Sequence, residues 1–255
     1  MKKIICFLSL SMVLASCSSD DATSIEEILP MTVHLTKTIE TDQDGSLTTV
    51  YTYDGNKIKE TIDSDGYKMV FTYTGDLITR AVEYDDEGAI YGDDVYVYNA
   101  QGQLIQNFYS SEGYKDKYDY THNADGTISV AKYTTAHNSD VYVLSYNGKI
   151  FSNKVEEYVA AIAGSPAFTA THTFTYDDKN NPMVNITGFD KLAFLGDRSA
   201  TNYTNNVIKE VYTTSTNLNQ PMSTSVYSYT DANFPATSVE TYVDNGETVS
   251  TQYFY

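Results

Sequence analysis

Residues 57–76 read KIKETIDSDGYKMVFTYTGD, and this stretch decides the fold. Two runs that alternate apolar and polar residues flank the pair Asp65-Gly66, and Gly75-Asp76 follows the second run. Alternation with period two is typical of a β-strand. Asp-Gly and Gly-Asp pairs supply the positive φ angles that tight hairpin turns need. The stretch therefore predicts one β-hairpin followed by another turn.

The same unit recurs along the chain. An aromatic or branched apolar residue, one spacer and an aromatic residue end nine units, at Tyr53, Tyr73, Tyr98, Tyr120, Tyr146, Tyr176, Tyr203, Tyr229 and Tyr255. Further turn pairs are Asp44-Gly45, Asp54-Gly55, Asp125-Gly126, Asn147-Gly148 and Asn245-Gly246. A repeat of this kind indicates an array of similar units. Nine hairpins predict about 16 to 18 strands.

The tyrosines of each unit share one face of the predicted sheet. Tyr51 and Tyr53 lie on one side of their strand, and Thr52 and Asp54 lie on the other. The connections are too short for helical crossovers, so we expect an all-β antiparallel meander of hairpins. A sheet this long must curl. We therefore predict a curved sheet or barrel-like shell with the tyrosine face inside.

Two segments interrupt the repeat. Residues 157–171 contain the longest hairpin insertion, and residues 181–196 read NPMVNITGFDKLAFLG, an apolar cluster in an otherwise polar chain. We predict a short helix or ordered loop near 186–196 that plugs one end of the aromatic core. The alternative is a loop docked on the sheet.

The first 17 residues read MKKIICFLSLSMVLASC. Lys2 and Lys3 precede an apolar stretch that is too short to span a membrane but has the length of a signal-peptide core. The ending LASC resembles the bacterial lipoprotein box, which implies cleavage before Cys17 and a lipid on that residue. We therefore divide the chain into a signal peptide at 1–16, a lipidated cysteine with a flexible acidic tether at 17–31, and a single β domain at 32–255.

The residues after Cys17 predict the cellular location of the protein. They are Ser18, Ser19, Asp20 and Asp21, which resemble the export signal of surface lipoproteins in Bacteroidetes-type bacteria. This resemblance implies an outer-membrane lipoprotein exposed at the cell surface. The alternative is an acidic tether that faces the periplasm.

Composition excludes several classes of function. The formal net charge is −18 with 24 tyrosines, so nucleic acid is not an expected partner. Cys6 and Cys17 are the only cysteines. The predicted β domain therefore has no disulfide, no thiol nucleophile and no cysteine metal site.

Few residues suggest chemistry. Asp85, Asp86, Asp93 and Asp94 surround one loop and are weak calcium candidates, although a solvated acidic hairpin tip explains them better. The histidines, at 34, 122, 137 and 172, have no paired spacing and are expected on strands or at the surface. Tyr67, Tyr91, Tyr109, Tyr114 and Tyr133 fall outside the repeat positions and are the better candidates for exposed rings that could stack on sugars.

The repeats, the lipobox and the segment Asn181-Pro182…Gly188-Phe189-Asp190 together resemble a family of Bacteroidetes-type lipoproteins of unknown function with a porin-like fold. The resemblance covers roughly residues 33–255 and implies an antiparallel barrel-like sheet without catalytic residues. The units are also loosely similar to the Tyr-Asp repeats (RHS-like) of large toxin shells.

These observations favour a non-enzymatic protein with no cofactor. We expect a binding or interaction module anchored to the membrane through the lipid on Cys17, with glycans or envelope proteins as possible partners. One alternative is a carbohydrate-active enzyme that uses paired carboxylates. Another is a membrane-spanning barrel, which would need an outward lipid belt that the Tyr-rich, polar runs do not provide.

Overall fold

A computed structural model describes residues 32–159, 166–192, 204–214 and 219–255. In these residues, sixteen antiparallel strands each pair with the next strand along the chain, and β1 pairs with β16. The sheet therefore closes into a barrel, which confirms the predicted all-β meander and its strand number. Closure leaves no sheet edge unpaired.

The strand bounds are as follows: β1 Lys37–Thr41, β2 Ser46–Asp54, β3 Lys57–Asp63, β4 Lys68–Thr74, β5 Leu77–Tyr84, β6 Ile90–Tyr98, β7 Leu104–Ser111, β8 Tyr114–His122, β9 Ile128–Thr135, β10 Tyr142–Ile150, β11 Lys154–Val159, β12 Phe168–Tyr176, β13 Val207–Thr213, β14 Gln220–Tyr229, β15 Pro235–Tyr242 and β16 Thr248–Phe254. A single 3₁₀ helix, Phe189–Leu192, lies between β12 and β13 in the described part of the chain.

The two ends of the barrel carry different loops. The turns β2–β3, β4–β5 and every second turn after them lie at one end, together with residues 177–192, and we call this the plugged end. The turns β1–β2, β3–β4, β5–β6 and their counterparts lie at the other end, which we call the acidic end. The chain enters β1 from the plugged end, at Lys37.

The repeat tyrosines face the interior, as predicted. Tyr96 and Tyr120 are only 7% and 4% exposed, and Tyr53, Tyr73 and Tyr98 pack against the same core. Residues directly opposite each other on paired strands share a face, so Tyr118 faces inward with its partner Lys132 on β9.

A β-bulge recurs at the plugged end of the hairpins. The register shifts by one residue between Thr72 and Tyr73 and between Val97 and Tyr98, with equivalent shifts at Tyr53, Tyr176 and Tyr229. Bulges of this kind increase local twist and are common at barrel rims. The repeat therefore marks the point at which each hairpin bends over the end of the barrel.

The tyrosine hydroxyls bond to carbonyl groups near these bulges. The Tyr98 hydroxyl donates to the Ile78 carbonyl oxygen at 2.7 Å, and the Tyr53 hydroxyl donates to that of Leu35 at 2.7 Å. Tyr227 and His122 bond in the same way to carbonyls 20 and 18 residues earlier. A buried hydroxyl needs such a partner. At these positions phenylalanine could not replace tyrosine without losing the bond.

One predicted turn is wrong. Asn147-Gly148 lies inside β10 and does not form a hairpin. A Cβ atom added at Gly148 would approach the Tyr146 hydroxyl to 2.5 Å and the Glu156 carbonyl oxygen to 2.4 Å. Glycine is present there because the Tyr146 ring lies close over the backbone.

The predicted plug is present as far as the described residues reach. Ile186 and Leu192 are buried in the core, and Met183 and Phe189 pack against it. Gly188 has a φ of +78°, and a Cβ there would lie 2.5 Å from the Asp76 carbonyl oxygen. Only glycine fits this approach to the β4–β5 turn. Residues 193–203 lie outside the described residues, as do 160–165 of the predicted insertion.

Backbone and side-chain hydrogen bonds attach the plug to the barrel. The Thr187 amide donates to the Asn56 carbonyl oxygen at 2.9 Å, and the Tyr73 hydroxyl donates to the Thr187 carbonyl oxygen at 3.2 Å. The Asn185 side chain donates to the Val33 carbonyl oxygen at 2.8 Å. The plug therefore connects the chain entry to the hairpin turns of β2–β3 and β4–β5.

Candidate functional site

The inner face of the barrel is divided into an apolar half and an acidic half. Towards the plugged end it carries Ile58, Ile78, Leu104, Ile150, Val155 and Phe174, all at most 5% exposed. Towards the other end the strand register directs eight carboxylates inward, namely Glu40, Asp63, Glu83, Asp94, Asp116, Glu157, Glu210 and Glu240. This half gives the acidic end its name.

One group of these acids surrounds the middle of β6. The Asn107 side chain donates to Asp94 at 2.8 Å, and Lys132 pairs with Asp116 at 2.9 Å. Burial raises the pKa of Asp94 to about 6, and the nearby charges of Glu83, Asp93 and Asp116 contribute, against the lowering effect of the Asn107 bond. The interior around β6 is thus strongly negative.

A second group lies across β1, β13 and β15. His172 is buried, and its Nδ1 atom lies 2.6 Å from a Glu210 carboxylate oxygen. The charges of Glu240, Glu210 and Glu40 raise the pKa of Tyr242, with that of Glu240 the largest cause. Negative charge therefore extends around the inner face at this end.

A cavity of about 260 Å³ opens at the acidic end between the β3–β4 and β5–β6 hairpins. Its wall comprises Thr49, Thr61, Asp63, Tyr67, Lys68, Met69, Glu83, Tyr84 and Tyr91. Tyr67 and Tyr91 are 44% and 56% exposed and meet edge to face, with ring centroids 6.0 Å apart. Two other surface cavities, near 41–43 with 245–250 and near 111–115 with 138–140, lie at the same end.

The polar groups of this cavity differ in how they are bonded. Asp63 Oδ1 accepts the backbone amides of Asp65 and Tyr67, both at 3.0 Å, so this carboxylate holds the β3–β4 turn. Lys68 Nζ lies 4.7 Å from the centre of the Tyr84 ring. Glu83 makes no hydrogen bond or ion pair with any residue in the described part of the chain.

Of the tyrosines predicted to be exposed, Tyr67, Tyr91 and Tyr114 are exposed, and the first two are brought together in the cavity. Tyr109 and Tyr133 are only partly exposed. Tyr109 faces inward opposite Asp116, and Tyr133 lies under the Lys117 ammonium group at 4.6 Å.

The four calcium candidates do not converge. Asp85 accepts backbone amides of its own turn, from Glu87 at 3.1 Å and Ala89 at 2.7 Å. Asp93 faces outward and pairs with Arg80 at 2.7 Å, whereas Asp94 faces inward. No group of three metal-ligating side chains forms among the described residues. Cys17 and the export residues Ser18, Ser19, Asp20 and Asp21 lie outside them.

Of the inward carboxylates, the sequence analysis names only Asp94, as a calcium candidate, and it misses the other candidate residues of the acidic inner face. Asp94 and Asp116 each lie two residues before the tyrosine pair of their strand, so the period-two rule places them on the tyrosine face. The tyrosine pairs by themselves do not show that the same face carries carboxylates further along each strand. His172, expected on a strand or at the surface, is on a strand but 6% exposed.

Comparisons with solved structures show where else this fold occurs. The chain is similar to a porin-like protein from Bacteroides vulgatus, with 15% identity and a TM-score of 0.53, over 88% of this chain and 99% of that one. A porin-like protein from Bacteroides uniformis gives 10% identity and a TM-score of 0.51, over 86% and 97%. At these identities the likeness shows the fold alone. No protein-family model matches the chain, and no curated protein does either.

Among the described residues, no helix has the length and apolar character needed to cross a bilayer.

Proposed function

We propose that this protein is a non-enzymatic, lipid-anchored protein of the cell envelope that binds a ligand at the acidic end of its barrel. The observation that carries the proposal is the asymmetry of the barrel. One end is filled by the plug, and the other presents the cavities, the exposed aromatic rings and the acidic inner face. Concave sites with a few placed polar groups are where ligands bind.

The anchor is proposed to be a lipid on Cys17, within LASC. The run Ser18, Ser19, Asp20 and Asp21 supports exposure at the outer surface, and a periplasm-facing protein is the alternative. Lipid anchoring of this kind requires at least two acyl chains for stability.

The outer face of the barrel argues against a barrel embedded in lipid. Arg80 and Asp93 form an ion pair on it, and Lys117 and Asp119 form another at 2.9 Å. A lipid-facing band excludes such charges. Several strands are also shorter than the ~9–11 residues that span a bilayer, since β1 has 5 residues and β4 has 7.

The interior argues against a conducting pore. Ile78 and Leu104 are completely buried where the plug enters the barrel, and Leu192 of the plug is 5% exposed beside them. Porin channels need a continuous polar lumen. The described residues at the plugged end instead form a packed apolar core.

The enzyme alternative gains no support from the cavity. Glycoside hydrolysis uses two carboxyl groups flanking one bond. Two acids line the cavity, Asp63 and Glu83. The Asp63 carboxylate already accepts hydrogen bonds from backbone amides of its own turn. Asp94, whose pKa is raised, bonds to Asn107 and does not line the cavity.

Two variants test the lipid anchor and the exposure of the protein at the cell surface. We expect Cys17→Ala to move the protein out of the membrane fraction. Replacement of Asp20 and Asp21 by alanine should keep it in the membrane but protect it from protease added to intact cells. Membrane retention of the cysteine variant, or unchanged protease access to the double variant, would contradict the corresponding part of the proposal.

The binding end is tested by site-specific cross-linking in cells. A photo-reactive residue in place of Tyr91, at the acidic end, should capture an envelope component or glycan. The same residue at Asn56, in a turn of the plugged end, is the matched control. Equal capture at the two positions, or capture only at Asn56, would contradict the proposal that the acidic end binds the ligand.

A further inference from the structure

We propose that the cavity bounded by Tyr67, Tyr91 and Glu83 is a saccharide-binding site that accepts one uncharged sugar ring. This inference deepens the proposed function and rests on it for the role of the acidic end as the binding end.

The size of the cavity suits a single ring. Its volume of about 260 Å³ lies just below the ~300–1,000 Å³ of pockets that hold drug-sized molecules. The β3–β4 and β5–β6 turns form its rim, and the inward residues Thr49, Thr61 and Glu83 form its floor. A terminal or branching sugar could enter from solvent without any movement of the barrel.

The two rim tyrosines are arranged as contact surfaces. Tyr67 and Tyr91 are nearly perpendicular, at 87°, so each presents a different ring face or edge to the cavity. Neither hydroxyl has a hydrogen-bond partner among the described residues. This contrasts with Tyr53, Tyr98 and Tyr227, whose hydroxyls bond to backbone carbonyls. The C–H face of a pyranose packs on such a ring, and its hydroxyls can bond to the phenol groups.

Glu83 supplies the acceptor that a sugar needs. Its carboxylate is partly buried on the inner face and unpaired within the described residues. Gly92 lies opposite, and a Cβ atom there would approach a Glu83 carboxylate oxygen to 2.7 Å. The absence of a side chain at position 92 therefore leaves room for Glu83 beside the cavity. A carboxylate accepts hydrogen bonds from two neighbouring hydroxyls, and such charge-assisted bonds are about twice as strong as neutral ones.

The charges in the wall exclude an acidic sugar, because Asp63 and Glu83 both line the cavity. Lys68 and Tyr84 oppose each other on the face that alternates with Met69 and Glu83, so the Lys68 ammonium does not neutralise these carboxylates inside the cavity. The hydroxyls of Thr49 and Thr61 can donate to ring and hydroxyl oxygens, and Glu83 can accept from sugar hydroxyls. A neutral polyhydroxylated ring uses the donors, the acceptor and the aromatic rings together, whereas a cation would use only the carboxylates and the rings.

The test uses the purified, mature lipoprotein in detergent and an array of neutral oligosaccharides, with spermidine and an acidic oligosaccharide as charged probes. We expect binding to at least one neutral sugar. Tyr67→Ala, Tyr91→Ala and Glu83→Gln should each weaken that binding by roughly tenfold or more, since the first two remove a ring contact and the third removes a charge-assisted hydrogen bond. Tyr158→Ala is the matched control, since Tyr158 is 42% exposed on the outer face, and it should bind as the wild type does.

Several outcomes would overturn the inference. They are the absence of binding to any neutral sugar by folded protein, preference for either charged probe, or wild-type affinity in the Tyr67 and Tyr91 variants. Thermal unfolding of each variant shows whether lost binding reflects lost folding, and Glu83→Gln, which keeps the size of the side chain, provides the second variant. Cross-linking of a protein partner at position 91 with no sugar binding would refute this inference alone and leave the proposed function standing.

Discussion

The plugged end and the acidic end are built from the same sixteen strands but use their inner faces in opposite ways. At the plugged end, several hydroxyls of the inner tyrosines bond to the backbone, as in the bond from the Tyr98 hydroxyl to the Ile78 carbonyl oxygen, although the Tyr255 hydroxyl has no hydrogen-bond partner among the described residues. At the acidic end, Glu83 and the hydroxyls of Tyr67 and Tyr91 have no partner among the described residues. The first arrangement stabilises the fold, and the second leaves groups available to a ligand.

The difference follows from the position of residues along each hairpin. The repeat tyrosines occur where strands enter the bulged turns, so their rings gather around the plug. The residues two or four positions further from that turn, such as Asp94 and Gly92 on β6, face the same interior at the other end. Each strand therefore carries a structural segment and a polar segment in sequence.

The largest expected effect belongs to the apolar half. Tyr96 is 7% exposed on the inner face of β6, and truncation of a buried aromatic ring typically costs about 3–5 kcal/mol. Tyr96→Ala should lower the free energy of unfolding by that amount in a urea titration. Val95, the adjacent outward residue, is 39% exposed, and Val95→Ala should stay within about 0.5 kcal/mol. Equally small changes in the free energy of unfolding for the two variants would mean that the tyrosine face is exposed to solvent.

Much of the fold could be predicted from the sequence because the signal repeats. Period two and the turn glycines predict hairpins, and the tyrosine spacing predicts their number. Closure of the sheet could not be predicted, since it depends on the pairing of β1 with β16, which are far apart in the chain. The turn at Asn147-Gly148 was wrong because the residue pair alone does not show that the Tyr146 ring covers this glycine.

The candidate site was predictable only in part. The exposure of Tyr67 and Tyr91 followed from their place outside the repeat, but their meeting requires the β3–β4 and β5–β6 hairpins to lie side by side around one cavity. Whether Glu83 has a partner among the described residues depends on which other side chains reach it. Contacts between residues that are far apart in the chain leave no local pattern in the sequence.

Asp94 should give the acidic end a dependence on pH. Its pKa rises to about 6 in the folded protein from 3.8, so the folded state binds the proton more tightly. The resulting stability is present below about pH 4 and is lost as the pH rises through 6. A shift of two pKa units corresponds to ~3 kcal/mol.

Asp94→Asn should therefore be more stable than the wild type at pH 7.5 by up to ~3 kcal/mol, with a much smaller difference at pH 4.5. The Asn107 bond can persist, because the new amide oxygen still accepts it. Urea titrations at the two pH values measure this. A variant that is less stable at pH 7.5 would show that the Asp94 charge is compensated inside the barrel.

Removal of a single tyrosine hydroxyl tests the same difference between the two ends with a smaller expected change in stability. Tyr98→Phe leaves the ring in place but removes the donor to the Ile78 carbonyl oxygen. We expect a loss of about 1 kcal/mol, the usual net value of one hydrogen bond. Tyr67→Phe, the counterpart at the acidic end, should change the stability by less than about 0.5 kcal/mol. Similar losses in the two variants would mean that the Tyr67 hydroxyl also has a structural partner.

The smallest effect is expected at Glu83, and it bears most directly on function. Substitution of a residue that is retained for folding destabilises the protein, whereas substitution of a residue that is retained for binding leaves the stability nearly unchanged. Glu83→Gln keeps the volume of the side chain beside Gly92 and removes a carboxylate that has no partner among the described residues. The free energy of unfolding should therefore change by no more than about 0.5 kcal/mol, and a slight gain is expected because Asp94 no longer faces that charge. A clear loss, above about 1 kcal/mol, would show that Glu83 supports the barrel. The contrast between a structural end and a binding end would then fail at the residue on which it most depends.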